Sequence, residues 1–130
     1  MKLFIEYILD EIEQIGVQNG YRVSLSSNKN EDNYVRGVMQ FFDSLFNVHF
    51  VIVFSFPEEE PNLNYVFWIL NQFGNERVVE KDGSKENMLD AVKDAAMKKI
   101  NVNLAKGPEI RNLLKEIEHI VTSYPTPTKK

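Results

Sequence analysis

His49 and His119 are the only two histidines in the chain, and there is no cysteine. Thiolate zinc sites, disulfides and cysteine catalysis are therefore excluded, as is a multi-histidine metal site within one chain. His49 stands near the start of an apolar run, on the face that period two assigns to Val51 and Val53. Given a carboxylate and a pocket it would serve as a general base, because imidazole titrates near neutrality. The sequence nominates neither, and a hydrogen-bonded histidine in the core or at its rim is the simpler reading. His119 follows Glu116 by three residues on a helical stretch, so the two share a face. Glu-x-x-His serves di-iron bundles only when a second copy and two further inward glutamates complete the set. No second copy exists here, and both residues lie off the apolar stripe, which describes a surface pair.

The remaining polar groups have equally plain readings. Glu58-Glu59-Glu60 lies between Pro57 and Pro61. Adjacent carboxylates in a turn repel one another, and the run has neither the ligand spacing nor the bend glycine of a calcium loop. A solvated hairpin tip is expected. Asp43 upstream of Glu80-Lys81 suggests a metal-dependent nuclease, but the spacer residue of Glu-x-Lys is missing. Gly16, Gly20 and Gly37 are isolated and form no phosphate-binding fingerprint, and Gly83-Ser84-Lys85 reads as a helix N-cap. No nucleophile elbow is present. No cofactor and no metal is implied.

At 130 residues the chain fits one domain, expected over 1–124 with a flexible C-terminal tail at 125–130. A net charge of −4 with scattered Lys and Arg argues against nucleic acid, since phosphate recognition needs clustered cations. Glu6, Asp10, Glu11 and Glu13 interrupt the N-terminal apolar residues before a signal-peptide core forms, and no apolar run approaches a membrane span. A cytoplasmic, acidic protein is expected. Its richness in Asn, Lys and Ile suits an AT-rich bacterial or phage gene.

Residues 2–18 carry Phe4, Tyr7, Ile8, Ile12 and Ile15 at helical spacing, and Asn19-Gly20 is a stop signal. Strands are expected at 21–25, 34–42, 48–56, 65–70 and 76–80, with 26–33 a polar loop. Residues 34–46 also fit a helical stripe through Val35, Val38, Met39, Phe42, Leu45 and Phe46. Gly37, which costs a helix about 1 kcal/mol relative to Ala, tips the choice toward strand. Ser84 opens a helix to about Ile100, with Met88, Leu89, Val92, Ala96 and Ile100 inward. Pro108 starts the last helix, whose stripe runs from Ile110 through Leu113, Leu114, Ile117, Ile120 and Val121 to Tyr124.

The order defines an α+β fold: an N-terminal helix, an antiparallel meander of about four to five strands, and two C-terminal helices. Small secretion chaperones and immunity proteins share such a layout, an analogy of fold without a common motif. Val48–Phe56 and Tyr65–Leu70 are apolar on both faces, as central strands covered on both sides are. That surplus must be closed by a helix or by another molecule. The expectation is a non-enzymatic protein-binding module, such as a regulator, inhibitor, immunity protein or chaperone, acting through an apolar and aromatic interface. Its partner would be another protein or a second copy in a homodimer. Tyr65, Phe67 and Trp68 are the nominated contacts, because exposed Trp and Tyr dominate interface energetics. The competing class is a small enzyme or ligand-binding protein with a pocket between sheet and helices, using His49 and a carboxylate. A nucleic-acid-directed protein is the third.

Overall fold

The computed structural model describes residues 4–29, 34–57, 64–72, 74–76, 91–103 and 105–123. Helix α1 spans Phe4–Gln18 and turns Ile8, Leu9 and Ile12 inward, while Glu6, Asp10 and Glu11 face solvent. It ends where expected. Asn19 Nδ2 donates to the Ile15 carbonyl at 2.7 Å, and Gly20 takes φ 88°, open to glycine without a Cβ penalty. The Tyr21 N–H then donates back to the Gly16 carbonyl at 3.0 Å, directing the chain into the sheet.

Five strands follow in sequence order as an antiparallel meander: β1 Arg22–Lys29, β2 Tyr34–Phe42, β3 Val48–Pro57, β4 Asn64–Asn71 and β5 Lys98–Asn103. Residues 91–95 are helical (α2), and Gly107–Ser123 forms the closing helix α3. The expected α+β layout holds. Period-two alternation sorts the sheet into two faces. Met39, Phe41, Phe50, Ile52, Phe54, Phe67, Ile69 and Val102 meet α1 and α3, whose Leu113, Ile117, Ile120 and Val121 are buried against them. Val51, Val53, Trp68 and Leu70 form a second cluster with Val92 of α2, joined by Ala95 and Ala96. The sheet's second face is thus covered at its centre by the chain itself.

Three element boundaries differ from expectation. Strand β1 continues through residues 26–29, which their polar types had placed in a loop, because pairing with β2 satisfies the backbone whatever the side chains. The helix expected to reach Ile100 ends earlier. The Ala96 N–H still bonds the Val92 carbonyl at 2.9 Å, but that of Met97 donates to Ile69 of β4 at 2.8 Å, and Lys98–Asn103 is the fifth strand. Residues 74–76 are helical, so Glu76 does not open the expected 76–80 strand, and 77–80 lie outside the described residues. Glu58, Glu59 and Glu60, the Gly83-Ser84-Lys85 turn and the tail expected at 125–130 also lie outside them.

Candidate functional site

The β2–β3 connection is built around one carboxylate. Asp43 Oδ1 accepts the N–H groups of Leu45 at 2.8 Å and Asn47 at 2.9 Å. Its Oδ2 accepts the Asn47 side-chain amide at 3.2 Å and His49 Nε2 at 2.9 Å. An ionised carboxylate can only accept, so the imidazole proton facing it sits on Nε2. The backbone closes the same loop: the Asp43 N–H donates to the Asn47 carbonyl and that of Phe46 to the Asp43 carbonyl, both at 3.0 Å.

A register shift between Phe41 and Phe42 aims His49. Phe41 pairs with Phe50 and Phe42 with Val48, leaving His49 with no residue opposite it on β2. Bulges of this kind redirect side chains. Here the ring leaves the face that period two shares with Val51 and Val53. It meets Tyr21 edge-on at 5.5 Å instead. Tyr21 is itself buried among Phe41 and Phe50. Burial, reinforced by the Asp43 charge, raises the Tyr21 phenol above its ordinary value of 10.0.

Hydrogen bonding, first from His49 and then from the Asn47 N–H, lowers the Asp43 carboxyl from 3.8 to about 2. A depressed carboxyl stabilises the folded loop above its unfolded value, and that contribution is lost as pH falls through the folded one. The Leu45 and Asn47 amides should therefore keep their exchange protection at pH 5 and lose it between about pH 4 and pH 2. Amide NMR during acid titration measures this; Asp43→Asn should abolish the titration.

The braced loop displays apolar side chains. Leu45 and Phe46 are 64% and 66% exposed. Phe46 adopts φ 64°, the left-handed region, at a position where such hairpin loops normally carry glycine or asparagine. For a bulky residue this costs roughly 1–2 kcal/mol. The Arg22 guanidinium lies 5.0 Å from the centre of the Phe46 ring, a cation–π contact that orders it.

The residues nominated from the sequence stand elsewhere. Phe67 and Tyr65 are buried toward α1 and α3, and Trp68 is buried on the opposite face beside Val92. They belong to this chain's core rather than to an outward surface. Glu116 pairs with Lys98 at 3.3 Å, and His119 is exposed beside it on α3. The His49–Asp43 pair has the orientation of a base and its carboxylate, but Asp43 is occupied by the loop it closes. A surface cleft of about 190 Å³ lies at the other end of the strands, among Asn64, Asn101, Asn103 and Glu109. His49 does not line it. Among the described residues no group of three or more His, Asp or Glu side chains could hold a metal, and no helix is long and apolar enough to cross a membrane.

Compared with known proteins, the chain matches no family model, no curated protein and no solved structure.

Proposed function

We propose that this chain is a non-enzymatic protein-binding module whose contact surface is centred on the β2–β3 tip. The observation that carries the reading is Phe46: a large aromatic side chain held in a strained left-handed conformation and left largely in solvent. Backbone strain persists only where the surroundings impose it, and it concentrates at binding and catalytic positions. The Asp43 bonds and the Arg22 contact supply that imposition. Burying Phe46 or Leu45 against a partner would contribute about 1.5–3 kcal/mol each, a typical anchor contribution.

Strain and function separate in a single substitution. Phe46→Gly removes the left-handed penalty and the anchor together. The folded chain should hold its stability or gain up to about 1 kcal/mol, while partner binding falls at least about tenfold. Immobilised wild-type chain should retain a discrete protein that Phe46→Gly loses and the exposed control Glu118→Gln keeps. Equal retention by all three would show that the tip is not the contact surface.

A further inference from the structure

Asn19-Gly20 is the only asparagine–glycine pair in the chain, and every other asparagine precedes a larger residue. Such a pair is chemically reactive, because a glycine nitrogen with no Cβ beside it can close on the preceding carboxamide carbon. The fold holds the two reacting groups apart. Gly20 follows α1 in the left-handed conformation, at φ 88°. Its N–H donates to the Val17 carbonyl at 3.1 Å, and that of Tyr21 donates to the Gly16 carbonyl at 3.0 Å, the paired bonds that close a left-handed helix end. Asn19 Nδ2 donates to the Ile15 carbonyl at 2.7 Å, which turns the carboxamide back along the helix. Nucleophile and carboxamide are each committed to a separate carbonyl, and no reaction proceeds until the end of α1 opens.

We propose that Asn19 is a site of spontaneous deamidation, gated by local opening of the α1 C-terminus, whose product unfastens Tyr21 from the core. In the opened end the Gly20 nitrogen bonds to Asn19 Cγ and the Cγ–Nδ2 bond breaks. The Nδ2 amide leaves as ammonia, taking the Gly20 proton. Water then adds to either carbonyl of the succinimide ring and breaks its bond to the ring nitrogen, giving aspartate or isoaspartate. The sum consumes one water, releases one ammonia and needs no oxidant or reductant. Either product weakens the junction. A carboxylate can only accept, so the bond to Ile15 is lost, and the new anion sits at the negative end of the α1 dipole, whose last turn holds no basic residue. Isoaspartate also lengthens the main chain by one methylene. The chain then cannot keep both the Tyr21 bond to Gly16 and the Tyr21 ring packed among Phe41, His49 and Phe50. Arg22, whose guanidinium orders Phe46, is the next residue, so the change reaches the tip.

The test incubates the full chain at mildly alkaline pH in native buffer and in about 6 M guanidinium chloride. Trypsin then releases residues 3–22, in which Asn19 is the only asparagine. Mass spectrometry and enzymatic isoaspartyl methylation follow the reaction in that peptide. Deamidation is expected in both solutions, at least about tenfold slower in the native one. The slowing should match the hydrogen-exchange protection of the Gly20 amide within about threefold, because both reactions need that N–H freed. Asn19→Asp, which adds the charge without the methylene, should raise the unfolding equilibrium constant at least about fivefold. The isoaspartyl chain, separated by ion exchange, should also lose protection at the Tyr21 amide. No reaction of the 3–22 peptide in guanidinium chloride would overturn the site. A smaller slowing, one that departs from the Gly20 protection, or Gly20 protection equal to that of Phe67 inside the sheet would overturn the local gate. An isoaspartyl chain with Tyr21 still protected would overturn the structural consequence.

Discussion

Trp68→Ala should cost about 3–5 kcal/mol of folding stability, the range for truncating a buried aromatic side chain. Trp68 is only 5% exposed and packs with Val51, Val53, Leu70 and Val92. Its loss leaves a cavity between the sheet and α2, whose Val92 packs on the same cluster. Against a total of about 5–15 kcal/mol for a domain, this is a large fraction, and the urea midpoint should fall accordingly. Trp68→Phe, which keeps a ring, should recover most of it. Trp68 is also the only tryptophan, so its emission should be blue-shifted in the folded chain and move red on unfolding. An interface anchor would behave in the opposite way: truncation would spare stability and remove binding. That outcome would return Trp68 to the surface role suggested by its residue type.

The contrast between Trp68 and Phe46 shows where residue types inform and where they mislead. Strands β3 and β4 were readable because both their faces are apolar, and a strand buried on two sides has no other pattern. The α1 stop was readable because Asn19-Gly20 suits a left-handed end in any context. Strand β5 was not. Ile100 continues the helical stripe of Val92 and Ala96 and equally alternates with Val102, so both periods fit the same residues. The Met97 hydrogen bond to Ile69 decides between them, and it joins positions 28 residues apart.

The tip was hidden for a related reason. Leu45 and Phe46 extend an apolar stripe from Phe42, which suggests burial, and phenylalanine is a poor choice for a left-handed position. The available signal was Asp43 and Asn47 flanking them, both good turn residues. His49 was legible as a rim histidine with a hydrogen bond. The bulge that aims it at Asp43 has no mark in the sequence. Local rules thus held wherever local and tertiary preferences agreed, and failed at the strained loop that presents the proposed contact.

Gly37→Ala should destabilise the chain by about 1–3 kcal/mol, at the upper end of that range. Gly37 is buried on β2, facing Phe54 of β3 across the pair, and a Cβ built there would fall within the Phe54 ring. The ring cannot swing away, because Phe54 is itself 1% exposed and packs on Phe67 at 6.1 Å. Alanine normally stabilises relative to glycine by limiting the unfolded chain, so a loss here opposes the default sign. Phe54→Leu makes room at the cost of a smaller side chain. The double variant should lose less than the two single losses combined, with a coupling of about 0.5–3 kcal/mol in a double-mutant cycle read by urea unfolding. Additive losses would mean that the ring and the glycine do not share space. The same contact explains why 34–42 is a strand despite its helical stripe. Glycine costs a helix its backbone entropy and contributes no packing there, whereas in β2 it is the socket that lets an aromatic residue of β3 lie flat. The sheet gains a fully buried ring on the strand that leads from the tip, and Asp43 then has a fixed frame on which to hold Phe46 in its strained position.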